Sequence, residues 1–127
     1  MSVEPPSPHP DAADRGRRAR SALAGCRFAD VRWLASTGST NADVLELVRA
    51  GEPEGIVVVA DHQDAGRGRR GRVWEAPVDG SLLLTVLLRP PAAVAGLTTM
   101  VLALAASAAV AALTGVEPRL KWPHALV

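Results

Sequence analysis

Seven consecutive residues, Gly66-Arg67-Gly68-Arg69-Arg70-Gly71-Arg72, put four positive charges and three glycines on one short stretch. Glycines let backbone N–H groups approach an anion in the alternating conformations of a binding nest, and guanidinium groups offer forked donors matched to phosphate and carboxylate. The chemistry open to such a stretch is to hold a phosphorylated or carboxylated ligand. The spacing satisfies G-x-G-x-x-G, but the dinucleotide fingerprint needs a helix opening at its last glycine and an acidic residue about twenty positions on. Here Val73, Trp74 and Pro77 lead toward another strand and position 91 is proline, so that reading fails. No Gly-Lys-Ser/Thr follows, which excludes a Walker A loop. On these residues alone, a basic loop that only solubilises and an arginine-rich RNA-binding loop both stay open.

The elements around this stretch must position it. It lies in HQDAGRGRRGRVWEAPVDG, residues 62–80, a connection far longer than the usual four to six or so and therefore either functional or disordered. Before it, GIVVVAD at 55–61 is an apolar β-branched run suited to a strand buried on both faces, and SLLLTVLL at 81–88 is a second strand. From Cys26 to Leu34, the mixture of Phe28, Val31, Trp33 and Leu34 with polar residues fits a half-buried strand. STGSTNADVLELVRAG then predicts a helix capped by Thr40 or Asn41, with Thr40-x-x-Asp43 resembling a capping box, Val44, Leu47 and Val48 on one face, and Gly51 at its end. Pro90 to Val116 carries no charge; it is expected to hold a buried helix from about Leu97 to Leu113 rather than a membrane span. Alanine dominates it, threonines and a serine interrupt it, and no Trp or Tyr belt flanks it. PRLKWP at 118–123 starts a further strand.

Composition bounds what these elements can form. At 127 residues there is room for one ordinary domain, and with 48% apolar and 21% charged residues a core is available. A net charge of +1 gives no global field toward nucleic acid or an anionic membrane. The single cysteine, Cys26, cannot form an intrachain disulfide, and the first residues lack the apolar stretch of a secretory signal; both point to the cytoplasm. Residues 1–25, rich in proline and arginine, are expected to be a disordered tail ahead of a folded portion over 26–127. The fold class is α/β or α+β.

STGSTN at 36–41, DHQDAGRGRRGRVW at 61–74 and KWP at 121–123, in this order and at these separations, resemble the catalytic domain of biotin protein ligases, the biotin–[acetyl-CoA-carboxylase] ligases. The resemblance runs from about Phe28 to Pro123. It implies a mixed sheet with flanking helices like that of class II aminoacyl-tRNA synthetases. It also implies an ATP-dependent reaction in which the biotin carboxylate attacks the α-phosphorus of ATP and the resulting biotinyl-5'-AMP acylates a lysine of a biotin carboxyl carrier domain. By the same resemblance Ser39, Thr40, Asn41, Gln63, Gly66, Arg67, Gly68 and Arg69 bind biotin. Arg69, Arg70, Gly71, Trp74 and Lys121 bind the nucleotide, and Arg69 and Lys121 are the catalytic residues. The loop is expected to close over biotin and adenylate and to lack fixed structure without them.

The sequence departs from the family after Lys-Trp-Pro. There the family continues with Asn-Asp and a downstream lysine, then further strands; here His124, Ala125, Leu126 and Val127 follow. Mg²⁺ is expected from the family, but no metal ligands are identifiable. The sheet is therefore expected to be incomplete at its C-terminal side, and the chain by itself to fail biotin-dependent exchange of pyrophosphate into ATP; the alternative is a remnant that holds biotin without ligase activity. A proline-rich stretch of about 25 residues cannot form the winged helix-turn-helix of DNA-binding relatives, so no DNA and no membrane partner is expected.

Overall fold

A computed structural model describes residues 10–122 and 125–127. The chain divides into two compact units, residues 1–88 and 89–127.

The first unit is built on a three-stranded mixed sheet. Strands β1 (Val31–Leu34), β2 (Val57–Ala60) and β3 (Leu83–Val86) lie in that order, with β1 parallel and β3 antiparallel to the central β2. The parallel pair requires a crossover, and helix α2 (Thr40–Arg49) supplies it. Val58, Val59 and Ala60 are all buried, as a β-branched run at the centre of a covered sheet should be. On one face Val58 packs with Val44 of α2, Ile56 and Leu87, and Leu47 leans on the cluster. Gly55, at φ +100, admits no side chain, because a Cβ there would overlap the carbonyl oxygen of Arg27.

Helix α2 begins one residue earlier than its sequence pattern predicts. Ser39, not Thr40 or Asn41, is the N-cap, with extended backbone and its Oγ accepting from Ala42 N at 3.5 Å. Thr40 is thereby drawn into the first helical turn and buried at 4% exposure. Ala50 caps the other end and Gly51 follows at φ +79.

The expected disordered tail over 1–25 is corrected by helix α1 (Ala12–Ala22); residues 1–9 of that stretch lie outside the described residues. Asp11 caps α1 by accepting from Asp14 N at 2.7 Å. The helix lies against β1, where buried Gly16 meets Trp33 closely. Trp33 and Val58 stand on opposite faces of the sheet, since Trp33 pairs with Val59 in the parallel register, so α1 and α2 flank the two faces. Polar ties seat the charged helix: Arg20 Nη1 donates to Val31 O at 2.8 Å, and Arg15 Nη1 donates to Asp61 Oδ1 at 2.6 Å. The apolar residues between its arginines are only alanine and glycine, which is why composition alone reads it as a tail.

In the second unit a 3₁₀ segment, Ala92–Leu97, leads into α3 (Thr98–Thr114), which packs on a hairpin of β4 (Leu120–Lys121) and β5 (Ala125–Leu126). The helix is placed within a residue of its expected span, but the expectation that it is buried is not met: only Ala103 of it is buried, while Val101, Leu102, Leu104 and Leu113 are exposed. The cause is a shortage of covering elements, since a two-stranded hairpin is too narrow to cover a helix that is apolar all round. By length and composition the 23 residues Ala92–Thr114, mean hydropathy 2.0, would suffice to cross a membrane.

Candidate functional site

The STGST turn and the start of the long loop run side by side beyond the sheet. Thr37 N donates to His62 O at 3.1 Å, Asp64 N to Thr37 O at 3.1 Å and Ala65 N to Gly38 O at 2.9 Å, prolonging the parallel pairing of β1 and β2. This backbone zipper carries Gln63 to the N-terminus of α2. There Thr40 N donates to Gln63 Oε1 at 2.8 Å and Thr40 Oγ1 donates to the same oxygen at 3.0 Å. Thr40 Oγ1 also lies 2.9 Å from Thr85 Oγ1, which donates to Asn41 Oδ1 at 2.6 Å. Thr37 Oγ1 donates to Asp43 Oδ2 at 2.6 Å, fixing the turn to the helix it precedes.

Two donors to one oxygen settle which way the glutamine amide points. Its oxygen faces the helix, and its nitrogen makes no hydrogen bond among the described residues. Gln63 therefore offers a ligand donors rather than both donors and an acceptor. It borders an open hollow of about 500 Å³ with His62, Asp64, Glu75, Ala76 and Pro77.

The arginine stretch is folded as a hairpin. Gly68 N donates to Arg72 O at 2.7 Å and Trp74 N to Gly66 O at 2.8 Å, with Arg67 and Val73 bridged. Arg70 (φ 60) and Gly71 (φ 73) take consecutive left-handed conformations, the geometry of a two-residue hairpin turn. Gly66 is buried, and a Cβ on it would lie 2.6 Å from Trp74 O, so the hairpin closes only on glycine there. The hairpin is held by its own backbone. Trp74 is 55% exposed and borders a second hollow of about 440 Å³ with Gly68, Arg69, Arg70, Arg72 and Val73.

Charge separates these arginines from others in the chain. Arg15, Arg17, Arg18, Arg27, Arg32 and Arg49 each pair with a carboxylate. Arg67, Arg69, Arg70 and Arg72 are exposed and make no ion pair among the described residues. Arg15, hydrogen-bonded to Asp79 and Asp61, is held above its ordinary pKa and stays charged. Four unpaired guanidinium groups are thereby concentrated on the hairpin, where an anion would meet them.

A model of the biotin/lipoate A/B protein ligase family matches residues 33–127. The chain belongs to this family. It is similar to the biotin–[acetyl-CoA-carboxylase] ligase of Mycobacterium tuberculosis, 37% identical over 122 residues, which cover 91% of this chain and 46% of that protein. The Paracoccus denitrificans protein of the same name is 43% identical over 95 residues, covering 72% of this chain and 39% of that one. The bifunctional ligase/repressor BirA of Escherichia coli is 38% identical over 92 residues, 69% of this chain and 28% of that protein. Among solved structures, the Helicobacter pylori biotin acetyl coenzyme A carboxylase synthetase with bound biotinylated ATP matches with a TM-score of 0.56 and 26% identity, over 76% of this chain and 48% of that one. The chain thus spans less than half the length of these relatives.

Within this biotin protein ligase framework, the structure gathers Ser39, Thr40, Asn41, Gln63 and Gly66 at one end of the sheet. Arg67, Gly68, Arg69, Arg70, Gly71 and Trp74 follow on the hairpin leaving Gly66. Lys121 is exposed on β4 of the second unit and is not among the residues the first unit gathers. Pro123 and His124, which bear on the departure from the family motif, lie outside the described residues. Sequence reasoning missed Thr85, although a hydroxyl breaking the apolar run SLLLTVLL was a signal for it. It also missed His62, whose Nδ1 is buried without a partner among the described residues. No group of three or more His, Cys, Asp or Glu is gathered among the described residues, and Asp61 and Asp79 pair with Arg15.

Proposed function

We propose that this chain carries the biotin-binding and loop portion of an ATP-dependent biotin protein ligase, on a fold that is class II synthetase-like. The enzyme acts in the cytoplasm on a lysine of a biotin carboxyl carrier domain, without DNA or membrane as a partner. The observation that carries the reading is the tie between Thr40 and Gln63 beside a hairpin of unpaired arginines, which sets donors for a polar ring next to donors for a carboxylate.

In this reading the Gln63 amide nitrogen donates to the ureido oxygen of biotin. Ser39 and Asn41 flank the ring, and buried Thr40 serves by orienting Gln63. Gly66, Arg67 and Gly68 line the valeryl carboxylate, with Arg69 reaching both it and the phosphate. Arg70, Gly71 and Trp74 face the nucleotide; the family resemblance assigns Lys121 of the second unit to the same ligand. In adenylation a carboxylate oxygen attacks the α-phosphorus and pyrophosphate leaves; the acceptor lysine amine then attacks the acyl carbon and AMP leaves. Negative charge builds on phosphoryl and carbonyl oxygens in both steps, and fixed guanidinium donors already in place stabilise it without reorganising. Water exclusion by the closed hairpin would protect the mixed anhydride from hydrolysis.

Isothermal calorimetry with biotin tests the reading. One-to-one binding is expected, and Arg69→Ala should weaken it by at least about tenfold, the worth of a hydrogen bond to a charged group, with thermal unfolding unchanged. Absence of biotin binding overturns the proposal. Biotin-dependent pyrophosphate exchange is expected to be absent in this chain alone, where position 125 is alanine rather than part of an Asn-Asp pair; exchange would assign it the adenylation step as well. Tight biotin binding with no effect of Arg69→Ala would favour the second reading, a biotin-binding module without ligase chemistry.

A further inference from the structure

Arg15 stands on α1, ahead of the family match that begins at residue 33. Its Nη1 reaches two carboxylates at once, Asp61 Oδ1 at 2.6 Å and Asp79 Oδ1 at 2.8 Å. These mark the two ends of the segment that carries Gln63 and the arginine hairpin: Asp61 follows β2 directly, and Asp79 comes shortly before β3. Asp61 is gripped a second time, since Trp33 Nε1 donates to the same Oδ1 at 2.8 Å, which makes that end a firm anchor. Asp79 sits in the left-handed region at φ 60, in a turn where Gly80 N donates to Pro77 O at 2.9 Å. The turn aims its carboxylate at α1.

We propose that Arg15 is a positioning residue for the loop: by holding Asp61 and Asp79 together it brings both ends of the segment to one point and fixes the span over which the hairpin is presented. A first end zipped to the STGST turn by backbone hydrogen bonds needs no further tie, but the returning stretch, residues 75–81, is exposed almost throughout and gains its hold on α1 through Asp79. The helix outside the family match thereby becomes part of the site's scaffold. The consequence for ligand rests on the biotin reading above; the clamp itself does not.

The loop carries its own reporters, because trypsin cleaves after arginine and Arg67, Arg69, Arg70 and Arg72 are all exposed; Arg49 at the end of α2 serves as an internal control. Asp79→Asn keeps a residue that tolerates φ 60 while removing the charge, and Arg15→Met keeps the stem. Breaking a partly exposed ion pair is worth a few tenths to one kcal/mol, so each variant should raise ligand-free cleavage at 67–72 by about two- to fivefold, with cleavage at Arg49 unchanged. The double variant should be no faster than Arg15→Met alone, because the tie that Asp79→Asn removes is already lost with Arg15. Wild-type loop cleavage in both single variants, or equal acceleration at Arg49, overturns the clamp. Saturating biotin should slow loop cleavage in the wild type and slow it less in Arg15→Met. Wild-type cleavage indifferent to biotin would overturn the biotin reading while the ligand-free rates still decide the clamp.

Discussion

The Gln63 side chain gives its oxygen to two donors of Thr40 and keeps its nitrogen for whatever occupies the hollow beside it. Thr85, reaching over from β3, links Thr40 to Asn41 and so ties the first turn of α2 to the sheet. Replacing it by valine keeps the shape and removes both links. Thr85→Val should weaken biotin binding roughly three- to tenfold, the worth of about one buried hydrogen bond, and Thr85→Ser should restore it. Unchanged affinity in Thr85→Val by calorimetry would show that the network does not orient the glutamine. Most of these residues were legible in the sequence because STGSTN and HQDAGRGRRGRVW are distinctive strings. Thr85 was not singled out, because its role depends on the β2–β3 register that sets it opposite Val58 and under the first turn of α2. Likewise no sequence rule separates Thr40 as cap from Thr40 as first helical residue when Ser39, Thr40 and Asn41 can all cap.

At the scale of elements, the apolar runs were read correctly as strands and the heptad-like spacing of Val44, Leu47 and Val48 as a helix, since burial on a sheet demands those periods. What composition concealed was α1. Its contribution is a close glycine contact and arginine hydrogen bonds, features invisible to hydropathy. The turn before β2 gives the most stringent check on how the elements meet. Gly55→Ala places a Cβ against the Arg27 carbonyl at φ +100, and should cost roughly 2–4 kcal/mol of stability. Chemical denaturation would read it as a lowered midpoint with unchanged slope, and biotin affinity of the remaining folded protein should be preserved. An unfolding free energy within a few tenths of a kcal/mol of wild type would mean that Arg27 does not pass so close to Gly55.

For the molecule as a whole, one unit is a covered sheet with its site at the strand ends, and the other is an apolar helix on a two-stranded hairpin with most of its surface exposed. The sequence reading of a buried helix was right about the helix and wrong about burial, because hydropathy reports the need for cover and not its presence. Family membership joins biotin ligases to lipoate ligases, and the reading proposed for the site predicts a preference between the two ligands. Both carry a carboxylated chain for the arginine hairpin, but only biotin has a ureido ring with hydrogen-bonding groups to match Gln63 and Asn41. A dithiolane ring would leave the Gln63 nitrogen unpaired at a cost of about 1–3 kcal/mol. Calorimetric titration of the chain with biotin and, separately, with lipoic acid therefore tests the central claim most directly. Saturable one-to-one binding of biotin, at least about tenfold tighter than that of lipoic acid, is the expected result; equal or tighter binding of lipoic acid would contradict a ureido ring seated against Gln63.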